Sequence, residues 1–76
     1  MSQKEWADRA RRLLKGELKR ANVTYDELAK RLLEQGFKET KASIASKLSR
    51  GAFTATFLLA SLKVIGCEIV RVRELQ

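Results

Sequence analysis

The chain has 76 residues, 45% of them hydrophobic, with four glycines and no proline: enough apolar residue for the core of one small domain, and few helix breakers. Sixteen Lys and Arg stand against nine Asp and Glu, and a formal charge of +7 on so small a body attracts polyanions, nucleic acid before anionic membrane. One cysteine, Cys67, and no histidine exclude an internal disulfide and a Cys/His zinc site, and no cofactor or small-molecule ligand is expected.

Residues 1–12 carry charges throughout, so no signal peptide is expected. The longest apolar run, Phe57 to Ala60, is far too short to cross a bilayer. The expectation is a cytoplasmic protein, nucleoid-associated if bacterial or phage, with no membrane partner.

Ser2 and Glu5 form an S-x-x-E start signal, and the first helix is expected over about 3–21. Trp6, Ala10, Leu13, Leu14, Leu18 and Ala21 recur at helical spacing, with Trp6 read as a core anchor. Glu17 falls inside that stripe, at its edge or paired with a basic neighbour. Arg9, Arg12, Lys15 and Lys19 occupy the opposite face, and Asn22 is a reasonable stop.

Thr24 with Glu27 marks the start of a second helix, over about 25–35, whose apolar side is Tyr25, Leu28, Ala29, Leu32 and Leu33. Gly36 reads as its terminal glycine, and Phe37 is expected to fold back onto the core. Thr40 caps a third helix over about 41–50, ending at Gly51. Ile44, Ala45 and Leu48 face inward, and Ser43, Ser46 and Arg50 face outward, flanked by Ala42 and Lys47. No Asp or Glu occurs between Glu39 and Glu68.

A fourth helix is expected over about 55–65. It is apolar nearly all round, which predicts a central, buried element against which the other three pack. The tail changes period. The β-branched Ile69, Val70 and Val72 alternate with charges, which predicts a short strand over about 67–73. With no other strand in the chain, its natural partner is the same strand of a second copy, so Ile69, Val70 and Val72 are the expected dimerisation residues. The alternative is a tail lying on the core.

The stretch Thr24-Tyr25-Asp26-Glu27-Leu28-Ala29-Lys30-Arg31-Leu32 resembles the first helix of the helix-turn-helix in phage-repressor and Cro-type regulators. Ile44 to Gly51 resembles that family's recognition helix, and Leu58 to Gly66 its following helix. The likeness covers roughly residues 23–66. It implies an all-α, four-helix, lambda-repressor-like domain, here with the short C-terminal strand added. Two departures stand out: Leu33 occupies the family's usual glycine position, which lengthens the turn from Glu34 to Thr40, and Tyr25 replaces its usual glutamine.

The resemblance implies sequence-specific binding of double-stranded DNA, with the third helix in the major groove, by a small repressor-like transcriptional regulator that is not an enzyme. Groove insertion favours small, polar and basic outer side chains. Ala42, Ser43, Ser46 and Lys47 meet that requirement, and Ser43, Ser46 and Lys47 are the expected base-edge contacts; Arg50 suits a base or the backbone, or else caps helix carbonyls. Lys38, Lys41 and Thr24 are the expected phosphate contacts, and the Tyr25 hydroxyl can donate to phosphate or the ring can equally serve in packing; for Lys38 and Lys41 a merely solvated role stays open. The alternative function is a small basic protein–protein interaction module or antitoxin-like partner.

Overall fold

A computed structural model describes residues 2–75 and shows an all-α chain: α1 (Gln3–Ala21), α2 (Tyr25–Glu34), α3 (Lys41–Arg50), α4 (Ala55–Val64) and a single 3-10 turn over Val72–Glu74. Each of the four α-helices starts on a hydroxyl. The side chains of Ser2, Thr24, Thr40 and Thr54 accept hydrogen bonds from the backbone N–H groups of Glu5, Glu27, Ser43 and Phe57, one helix position each that would otherwise lack a partner. The four ends are alike too. In each, a backbone N–H beyond the helix returns to a carbonyl of the last turn: Val23 to Leu18, Phe37 to Leu32, Ala52 to Lys47 and Cys67 to Leu62, at 2.9–3.2 Å. Asn22 takes the left-handed conformation this requires, with φ 57° and ψ 44°. Sharp starts and sharp stops leave short connections, and the helices close on one core.

Each helix supplies that core from one stripe. Leu14 and Leu18 come from α1, Leu28 and Leu32 from α2, Ile44 and Leu48 from α3, and Phe57 and Leu62 from α4; Val23 and Ile65 close the gaps at helix ends. α2 packs on both α3 and α4, and α1 packs on α4. Phe37 and Phe53 lie partly buried against the core, with the Phe53 and Phe57 rings 5.6 Å apart.

Four expectations need correction. There is no strand among the described residues: 67–71 is irregular and then tightens into the 3-10 turn. Local bonds replace a ladder there. The N–H of Glu74 reaches the Arg71 carbonyl, that of Leu75 reaches the Val72 carbonyl, and Arg9 donates to the Leu75 carbonyl at 3.1 Å, tying the tail along α1. Strand-to-strand dimerisation through Ile69, Val70 and Val72 therefore loses its basis, although all three are exposed.

Second, Trp6 is no core anchor. It is 45% exposed, with the Arg9 guanidinium 5.4 Å from its ring centroid. Third, Leu33 is exposed rather than on the packed side of α2. Fourth, α4 is not enclosed: Ala55, Thr56, Leu59 and Lys63 are exposed along one side.

Candidate functional site

α3 begins in a reciprocal cap. The Ser43 N–H donates to Thr40 Oγ1 at 3.0 Å, and the Thr40 N–H donates to Ser43 Oγ at 2.8 Å. The Ser43 hydroxyl also donates to the Glu39 carboxylate at 2.6 Å. From further along the helix the Lys47 ammonium pairs with the other Glu39 oxygen and lies 5.0 Å from the centroid of the Phe57 ring. Burial pushes the Glu39 carboxyl up, but the hydrogen bonds from Lys47 and Ser43, with the Lys47 charge, outweigh burial and hold it below its ordinary range. The acid nearest the start of α3 is thus covered and neutralised.

What remains outward is a narrow strip. Ala42, Ser46, Ser49 and Arg50 are exposed at the helical spacing that places them on one face, with Lys41 exposed beside them and Lys38 exposed in the preceding loop. The strip contains no acidic residue. Ser43 and Lys47 do not join it, being half-buried and engaged by Glu39.

Thr24 and Tyr25 lie elsewhere in character. Thr24 is an exposed cap, and Tyr25 is half-buried against the core. Asp26 is exposed beside them, and Glu27 pairs with Arg31 at 3.3 Å, so the start of α2 carries acid where the start of α3 carries base.

The end of α3 meets α1. Gly51 has φ 64°, and a Cβ placed there would stand 3.8 Å from the Ala7 carbonyl and 3.9 Å from Arg11 Cδ. Positive φ strains any residue with a Cβ, so glycine here lets the chain turn close to α1. An open groove of about 470 Å³ results, lined by Lys4, Glu5, Ala7, Asp8, Arg11, Ser49, Arg50 and Gly51. Asp8 is spoken for: Arg11 hydrogen-bonds it and Arg12 pairs with it at 2.8 Å, and despite partial desolvation its carboxyl is held below the ordinary range.

Ser49 and Lys4 are the residues that sequence reading passed over. Ser49 follows Ala42 by two helical turns and Ser46 by one, so the wheel contains it. Lys4 is 46 positions from Arg50, and no local pattern links them.

The family model described as a domain of unknown function, DUF6471, matches residues 6–70. The chain belongs to the DUF6471 family. The DUF6471 match takes in α2, α3 and α4 whole and α1 from Trp6 onward; the 3-10 turn falls outside it. No curated protein and no solved structure matches the chain. Among the described residues no group of three or more His, Cys, Asp or Glu is placed to hold a metal ion, and no helix is long and apolar enough to cross a membrane.

Proposed function

We propose that this chain is a sequence-specific double-stranded DNA-binding domain of the phage-repressor and Cro type, a small cytoplasmic transcriptional regulator that inserts α3 into the major groove. One observation carries the reading: the outward strip of α3 offers only small, polar and basic side chains, while its neighbouring acid is neutralised. A ten-residue helix is about 15 Å long, and a groove about 12 Å wide admits it if its outer side chains are small. Ala42, Ser46 and Ser49 meet that condition. Arg50 reaches a base edge or a phosphate, and Lys38 and Lys41 meet phosphates at the other end of the strip.

The test is binding to random and selected duplexes across a salt series. A DNA binder gives log affinity falling linearly with log salt, at a slope set by the phosphates neutralised. Failure to bind any duplex at low salt overturns the reading.

One feature favours the second reading, a basic protein–protein interaction module or antitoxin-like partner. Trp6, 45% exposed on α1 with the half-buried Arg9 guanidinium over its ring, is a residue type concentrated at interface hot spots. Absent DNA binding together with a stoichiometric protein complex broken by Trp6→Ala is the outcome that selects it.

A further inference from the structure

α4 leaves one side uncovered, and the chain beyond it completes a shallow depression there. Leu59 is 65% exposed, and Lys63 follows it one turn later on the same side. After the turn at Gly66, Glu68 and the exposed Val70 come round to line the same depression. Lys63 and Glu68 carry opposite charges, and neither is paired with another side chain among the described residues.

This corner is locally neutral on a chain whose net charge is +7. A net charge of +7 sets two copies against each other overall; this corner adds nothing to that repulsion. A two-fold contact applies the same patch twice, so each residue meets its opposite number's neighbour reciprocally. A patch with one free cation, one free anion and apolar side chains beside them is complementary to itself. We infer that a second copy of this chain docks on this corner, with Lys63 of each copy facing Glu68 of the other and Leu59 and Val70 packed between them. The contact needs no β-strand and uses no residue of α3, so it stands or falls apart from the DNA reading. So few side chains cover less than the roughly 800 Å² per partner of a standard interface, which makes the dimer concentration-dependent.

Sedimentation equilibrium of the full chain, from micromolar to millimolar loading, tests it. The weight-average mass is expected to climb from the monomer value toward twice that value. Lys63→Glu and Glu68→Lys each place like charges together twice and are expected to weaken association by roughly tenfold or more. The double variant Lys63→Glu/Glu68→Lys restores both pairs and is expected to associate like the parent. Leu59→Gln removes apolar contact without changing charge and is expected to weaken association as well. The inference is overturned if the parent stays monomeric throughout, if the single charge variants or Leu59→Gln associate like the parent, or if the double variant is as weak as the singles. Far-UV circular dichroism on each variant confirms that the helices persist, as the exposure of all three positions leads one to expect.

Discussion

Lys47 reaches back along α3 to pair with Glu39, a residue outside the helix and eight positions earlier. The carboxylate also accepts from Ser43, and its side chain is only 9% exposed. Although burial raises it, the bonds from Lys47 and Ser43 leave Glu39 titrating below its ordinary 4.5. A carboxyl depressed in the folded state stabilises that state above its unfolded value and loses the contribution as pH falls through the folded one. The midpoint of thermal unfolding is therefore expected to drop between about pH 5 and pH 3. It should drop less steeply in Glu39→Gln, which lacks that titrating carboxyl. Superimposable pH profiles for parent and variant would remove Glu39 from this role.

The same pairing separates Lys47 from the other cations of α3. Lys47→Ala leaves a nearly buried carboxylate with Ser43 as its remaining side-chain donor, and is expected to destabilise the fold by about 1–2 kcal/mol in chemical denaturation. Its ammonium is already committed, so the salt dependence of DNA binding should hardly change. Lys41→Ala and Arg50→Ala are expected to do the reverse. Both positions are exposed, so stability holds, while each lost phosphate contact lowers the salt slope by roughly one. A slope that falls for Lys47→Ala and not for Lys41→Ala would place the interface elsewhere.

Ser46 is exposed at the middle of the strip, with Ala42 one turn before it and Arg50 one turn after. Ser46→Glu sets a carboxylate where phosphates would flank the helix on both sides. DNA binding is expected to vanish, with the unfolding free energy unchanged to within about 0.5 kcal/mol because no core contact is touched. Undiminished binding by this variant would show that α3 is not the inserted helix.

The helix ends were legible because they are written locally. A Ser or Thr before each apolar stripe, and an Asn or Gly after it, act within a few residues of where they stand. The misreadings share a different cause, since all depend on what a distant element covers. α1 spans 19 residues, about 28 Å, while each of the others spans about 15 Å. Its stripe therefore outruns the available cover, and Trp6 is left at the uncovered end. Leu59 lies on the exposed side of α4, between Thr56 and Lys63, where none of the other described helices covers it. The β-branched tail has strand-like residues but nothing to pair with, and a preference for strand is a preference for a packed, paired surface. Within the site, helical spacing found Ser46 and Arg50. It could not find Glu39, whose loop turns its carboxylate back onto Lys47.

One further position tests the packing itself. Ser61 is fully buried in the middle of α4, and its Oγ has no hydrogen-bond partner among the described residues. A buried hydroxyl without a partner loses its water contacts and regains nothing, at a cost of about 1–3 kcal/mol. Ser61→Ala removes the oxygen and leaves only a small void, and alanine is the better helix former by a few tenths of a kcal/mol. The net expectation is a gain of about 1 kcal/mol, which in a domain this small raises the thermal midpoint by roughly 4–8 °C. An unchanged or lower midpoint would mean that the hydroxyl is satisfied in solution, by a carbonyl of its own helix or by water.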